Sequence, residues 1–239
     1  MRCKIWFIGD IHGNFEQYDY IRNDMILPNG KKGMDYSIQV GDMGIGFHDH
    51  GDLSFHNAMS ENHKFIHGNH DNPAYCKTSP NFLGRYGYNK SSGIFYVSGG
   101  FSIDRIYRTV DVNFWENEEV NYTEQEEIIK LYKKIKPRIV STHDTPTVFR
   151  NSVITNPDKF NDCSISVAMF DEMFKIHQPE YWICGHHHVY KKMQIDNTTF
   201  VTLADVCCFN TKFDDDDYEK TYNEINNYPC IYCIDDVSW

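Results

Sequence analysis

One device recurs along this sequence and constrains its fold more than any other feature: a short apolar run that breaks off at a turn carrying a polar residue. Residues 4–9 lead to Asp10, 36–41 to Asp42, 64–68 to Asn69, 138–142 to His143, and 181–185 to His186. Each is an apolar run of strand length. In α/β sheets, ligands gather beyond the carboxyl ends of the strands, where these polar residues fall. The pattern therefore predicts an α/β chain with a polar site assembled from several distant turns.

The remaining segments fit that class. Further strands are expected at 94–98, 200–204 and 230–234. Thr123-x-x-Glu126 reads as a capping box opening a helix over 123–136, which Pro137 ends. Helical periodicity is also present over 14–25 and 164–177. Strands alternate with helices in the first half and dominate later, which suggests an α/β sandwich. With 41% hydrophobic residues, no internal repeat and no proline-rich linker, residues 1–239 are expected to form a single domain.

Composition narrows the function classes. No apolar stretch approaches the roughly 20 residues of a membrane span. The apolar Ile5-Trp6-Phe7-Ile8 is too short for a signal-peptide core and runs into Asp10, so a soluble, cytoplasmic protein is expected. The formal net charge of −11 disfavours extended nucleic-acid binding but leaves room for a phosphate at a locally cationic centre. Of eight cysteines, only Cys230 and Cys233 have metal-like spacing. No second pair completes a zinc site, so reduced structural thiols are expected. The run of Asp214 to Asp217 lacks the spacing and glycine of a calcium loop and reads as a solvated loop.

Seven residues carry the chemistry: Asp10, His12, Asp42, Asn69, His143, His186 and His188. Singly each is a weak signal, since a lone histidine after a strand is commonly structural. Together they place carboxylate, imidazole and amide donors at strand ends, a mixture that suits Mn, Fe or Zn rather than Ca. In extended chain, residues two apart point the same way, which would aim Asp10 and His12 at one ion. His186 and His188 share that spacing. The Asp42 carboxylate has two oxygens, able to bridge ions about 3.5–4 Å apart.

The ordered set Asp10-x-His12, Gly41-Asp42, Gly68-Asn69-His70-Asp71, His143 and Gly185-His186-x-His188 resembles the calcineurin-like metallophosphoesterase superfamily. The resemblance implies a four-layer αββα sandwich with two mixed β-sheets. It implies that Asp10, His12, Asp42 and His188 hold one metal, that Asp42, Asn69, His143 and His186 hold the other, and that His70 protonates the leaving group. Gly41-Asp42-Met43-Gly44-Ile45-Gly46 lacks the later Asp and Arg of the protein serine/threonine phosphatase branch, which puts that activity in doubt. Thr142 stands where glycine usually precedes the histidine. The segments 99–105, Trp115-Glu116 and 141–146 are similar to a prokaryotic and phage-type branch.

The expected function is hydrolysis of small phosphate esters, as a monoesterase or a diesterase, by a hydroxide bridging two metal ions, with manganese favoured. His70, next to Asn69, is the candidate general acid. Asp71 and Asp144 are candidates to steady ligating histidines, or else turn residues. Arg105 is a candidate phosphate contact, because its planar fork matches phosphate oxygens. His67 and His187 are expected to face away from the site, and His48, His50 and His56 to lie in a polar loop. Two rivals stand: a nuclease or nucleic-acid end phosphatase, which needs a basic aromatic groove, and a non-catalytic interaction module, which would be expected to have lost ligands.

Overall fold

The computed structural model describes residues 2–27, 30–47, 59–154, 163–206 and 229–238. Asp214 to Asp217, Cys207, Cys208, His48, His50 and His56 lie outside the described residues.

Two mixed sheets form the centre. The first contains β1 (Arg2–Ile8), β2 (Ser37–Gln39), β3 (His63–Phe65) and β10 (Ile231–Ser238), in the order β10-β1-β2-β3. Strands β1, β2 and β3 run parallel, and β10 closes the edge antiparallel to β1. The second sheet has the order β4-β5-β6-β7-β9-β8. Its strands are β4 (Tyr86–Asn89), β5 (Ile94–Val97), β6 (Ile139–Thr142), β7 (Tyr181–Cys184), β8 (Lys191–Ile195) and β9 (Thr198–Thr202). The four inner strands are parallel, while β4 and β8 pair antiparallel at the edges.

The parallel strands are apolar on both faces because both faces are covered. Along β1, Ile5 and Phe7 point between the sheets, where they meet Ile38, Ile94, Ile139, Ile183 and Val201. Trp6 and Ile8 point outward onto Tyr18 and Ile21 of helix α1 (Phe15–Asn23). On the far face of the second sheet, Phe95, Val140, Trp182 and Phe200 pack against the remaining long helices, α3 (Tyr122–Ile135) and α5 (Ile165–Ile176). The result is helix, sheet, sheet, helix, as the family resemblance implied. Trp182 is fully buried, and its indole N–H donates to Thr142 Oγ1 at 2.8 Å. Truncating such a residue to alanine costs about 3–5 kcal/mol.

Local signals explain the helix ends. Asn14 and Ser164 cap α1 and α5, accepting from Gln17 N and Val167 N at 3.3 and 3.1 Å. The capping box of α3 lies two residues earlier than predicted: Asn121 Oδ1 accepts from Glu124 N at 3.0 Å, and Glu124 Oε2 accepts from Asn121 N at 3.0 Å. Asn121-x-x-Glu124 has the same spacing as Thr123-x-x-Glu126, and the chain uses the earlier pair. Lys136 then turns left-handed (φ 49°) ahead of Pro137. Two short helices, α2 (Pro73–Cys76) and α4 (Thr147–Val153), follow strand-end turns.

Candidate metal centre

The parallel strands deliver their carboxyl ends to one place. Asp10 and His12 follow β1, Asp42 follows β2, Asn69 follows β3, His143 follows β6, and His186 and His188 follow β7. Asp10, His12, Asp42 and His188 offer donor atoms all within 4.8 Å of one another, and so do Asp42, His143 and His186. Asp42 belongs to both groups. Asn69 joins the second, with its Oδ1 3.1 Å from His143 Nε2.

Within the first group, His12 Nε2 and His188 Nε2 lie 2.9 Å apart, and His188 Nε2 is 3.2 Å from Asp10 Oδ2. In the second, His143 Nε2 lies 3.2 Å from both Asp42 Oδ1 and His186 Nδ1. His143 Nδ1 donates to the Val40 carbonyl at 2.9 Å, which leaves Nε2 as the nitrogen that faces the cluster. Imidazole and carboxylate donors crowded on two points, with one carboxylate common to both, are donor groups that could hold metal cations.

Convergence does not arise from extended chain, as the two-residue spacings suggested. His12, Asp42, His186 and His188 all have left-handed backbone, with φ of 48°, 56°, 67° and 51°. Each turn folds back on itself and presents donors that a strand would splay apart. Non-glycine residues in this region cost of order 1–3 kcal/mol and persist where surroundings over-determine them. The glycines before the donors permit close approach. A Cβ on Gly68 would overlap the Asp42 carboxylate, and one on Gly185 would overlap that of Asp10.

Charges in the cluster are strongly perturbed. Burial opposes ionisation of Asp42, but the His143 and His70 charges overcome it and hold the carboxyl well below its ordinary range. Burial likewise opposes protonation of His143, yet the Asp42 charge and hydrogen bond push it up to about 10. His186 is driven well below the ordinary imidazole value, chiefly by burial, against the pull of Asp144. A neutral imidazole is the form a cation accepts.

The surrounding residues sort by what they touch. Asp71 accepts from four backbone N–H groups, those of Met43, Gly44, Ile45 and Gly68, at 2.7–3.1 Å. It ties the Asp42 turn to the Asn69 turn instead of orienting a histidine. Asp144 is 3.0 Å from His187 Nε2, 3.4 Å from Arg150 Nε and 3.8 Å from His186 Nε2, so it does flank a candidate ligand. His67 turns away, against Arg85 (3.1 Å). His70 Nδ1 lies 2.6 Å from Asp42 Oδ2.

Arg105 is exposed and lies over the Phe101 ring, 4.4 Å from its centroid, and is not among the residues lining the cavity beside the cluster. Arg108 is. Its guanidinium donates to His70 Nε2 at 2.9 Å and to the Asn69 carbonyl at 3.2 Å, and pairs with Asp104 at 2.7 Å. No periodicity distinguishes Arg108 from Arg105 in an irregular segment, so sequence gave no means of choosing. Asp205 lies outside the expected set despite a legible signal. It follows β9 as the other candidates follow their strands, and its Oδ2 lies 3.7 Å from His188 Nδ1.

A family model described as calcineurin-like phosphoesterase matches residues 3–190. No curated protein matches the chain. Among solved structures, a dimetal phosphatase from Danio rerio is similar with a TM-score of 0.51 at 11% identity, over 85% of this chain and 87% of that one. A phosphopantetheinyl hydrolase from Mycobacterium tuberculosis aligns with a TM-score of 0.46 at 11% identity, over 97% of this chain and 95% of that one. The family match spans all seven candidate ligands, and the chain belongs to the calcineurin-like phosphoesterases, a family of metal-dependent hydrolytic phosphoesterases.

Proposed function

We propose that this protein hydrolyses phosphate esters of small molecules at a two-metal centre, with Asp42 as the shared ligand. The observation that carries the reading is the membership of Asp42 in both donor groups. Asp10, His12 and His188 complete one set; Asn69, His143 and His186 complete the other. When bound, the two ions supply Lewis-acid polarisation of phosphoryl oxygens and acidify water for attack on phosphorus. The mixed carboxylate, imidazole and amide donors suit manganese, iron or zinc, of which manganese is the ion we favour. A cytoplasmic setting fits Cys76 and Cys184, which are buried free thiols.

The chain's own groups then have distinct tasks. His70 is the proton donor to the departing oxygen. In the geometry described, its Nδ1 faces Asp42 and its Nε2 accepts from Arg108. An arriving phosphate competes for the Arg108 guanidinium, whose planar fork matches phosphate oxygens. Release of that contact frees Nε2 to take a proton from solvent, and the imidazolium so formed, held through Nδ1–H by Asp42, passes that proton to the departing oxygen. Arg108 thus takes the part first expected of Arg105.

The test is turnover of p-nitrophenyl phosphate and bis-p-nitrophenyl phosphate by the manganese-loaded protein, with metal content measured alongside. Hydrolysis of either, at about two ions per chain, supports the reading, and the faster substrate separates monoesterase from diesterase. A protein that binds the ions yet cleaves neither ester is a binding module instead.

A further inference from the structure

A cavity of about 500 Å³ opens beside the candidate metal centre, reaching from Asn69, His186 and His188 out to the surface. That volume lies in the range of pockets that enclose a whole small molecule. Its outer wall is apolar and comes from three separate segments: Ile103, Val153 with Ile154, and Val189. Ile103 is 56% exposed and Val189 38%. Branched apolar side chains gathered around one functional cavity offer contact area to an apolar group that enters it.

The two arginines lining the same cavity already have carboxylate partners, Asp104 in its wall and Asp144 behind it. Arg108 pairs with Asp104 at 2.7 Å and holds the Asn69 carbonyl at 3.2 Å. Arg150 pairs with Asp144 at 3.4 Å, and Asp144 lies 3.0 Å from His187. A sugar or nucleoside leaving group would bring hydroxyls or ring nitrogens that need partners once buried. With Asn69, the histidines and Arg108 at the phosphate end of the cavity, the paired groups farther out offer such hydroxyls little, while the branched side chains offer contact area.

We infer that this cavity is a leaving-group subsite for a phosphate ester of an apolar, ring-sized alcohol or phenol, seated against Ile103, Val153, Ile154 and Val189. The inference rests on the phosphoesterase reading for the place of the phosphate, and adds the class of group attached to it.

Non-hydrolysable phosphonates test it by binding alone. Benzylphosphonate and methylphosphonate are titrated calorimetrically into the full chain loaded with manganese. The expected preference for benzylphosphonate is about tenfold or more, the scale of apolar discrimination in a pocket, with a negative heat-capacity change. Ile103→Ser and Ile154→Ser should each cut that ratio at least threefold. Ile103 is exposed, so its variant decides the matter even if Ile154→Ser fails to fold. Equal affinities, or a ratio untouched by Ile103→Ser, overturn the subsite. Phenyl phosphate and methyl phosphate turnover, run in parallel, keeps the two claims apart. Selective binding without hydrolysis of either ester sinks the catalytic reading and leaves the subsite standing. Hydrolysis of both with equal phosphonate affinities does the reverse.

Discussion

Asn69 Nδ2 donates to Ser102 Oγ at 3.2 Å, which turns the other end of the amide, Oδ1, toward His143. Ser102 is fixed in turn by Glu118, its hydroxyl donating to Oε2 at 2.9 Å and its N–H to Oε1 at 3.0 Å. Glu118 is buried, and burial pushes its carboxyl up to about 7. A neutral amide ligates only through oxygen, so this chain decides whether Asn69 is a donor to a cation. Ser102→Ala is expected to weaken binding of one manganese by about 10–100-fold, the usual cost of removing a partner behind a ligand. Titration by electron paramagnetic resonance reads the two sites separately. Equal loss from both, or from neither, would show that the amide is held by other means.

Asp42→Asn should remove far more. One change reduces the charge of both donor groups, so metal content should fall from about two ions to less than one, with hydrolysis lost. Gly68→Ala should imitate it without touching a donor, because the added methyl occupies the space of the Asp42 carboxylate. Elemental analysis of the purified variants checks both. A Gly68→Ala protein with full metal content would refute the close-approach argument.

His70→Asn is expected to lower kcat by about 10²–10⁴-fold, the range for a general acid, with metal content intact. Arg108→Ala should raise KM for the phosphate ester and also lower kcat, since the residue touches both His70 and the cavity. Arg105→Ala should change neither by more than about twofold. Steady-state kinetics on the three variants separate the roles, and a metal-poor His70→Asn protein would reassign that histidine as a ligand.

Acid sensitivity should have a source remote from the centre. His63 is 4% exposed on β3, beside Ser37 Oγ at 2.9 Å, and burial together with the Arg22 charge lowers it to about 4 from an ordinary 6.5. The folded state holds the neutral ring. This contribution to stability is therefore present above pH 6.5 and falls as pH drops toward 4. At about 1.4 kcal/mol per pH unit, the loss reaches up to ~3 kcal/mol. Denaturant unfolding of the metal-free protein from pH 7.5 to 4.5 should show it, and His63→Asn should flatten that part of the slope.

Much of this architecture was legible in the sequence because burial on both faces makes parallel strands continuous and apolar. All five strand-then-donor runs became strands followed by converging donors. The edge strands β4 and β8 went unseen, since Tyr86-Gly87-Tyr88-Asn89 and Lys191-Lys192-Met193-Gln194-Ile195 face solvent and lack that density. The seven ligand candidates could be found because donor type and strand position coincide. Arg108, Ser102 and Glu118 could not, because they act from the irregular stretch between β5 and α3, where spacing carries no geometric meaning. The left-handed backbone of His12, Asp42, His186 and His188 was equally hidden, since turn geometry there is imposed by tertiary contacts.

The shared centre straddles the seam between the sheets. Asp10 and Asp42 sit on one side, and His143, His186 and His188 on the other, with Asp10 also accepting from the His186 N–H at 3.0 Å. Cations lodged there would clasp the two halves of the sandwich, and a chain whose halves have come apart would have nowhere to bind them. Free manganese at 100 times its dissociation constant would then add about 2.7 kcal/mol to the cohesion of the fold. Chelation would loosen the whole molecule as well as silence it, so scarcity of the metal in a cell would be felt as shortened protein lifetime.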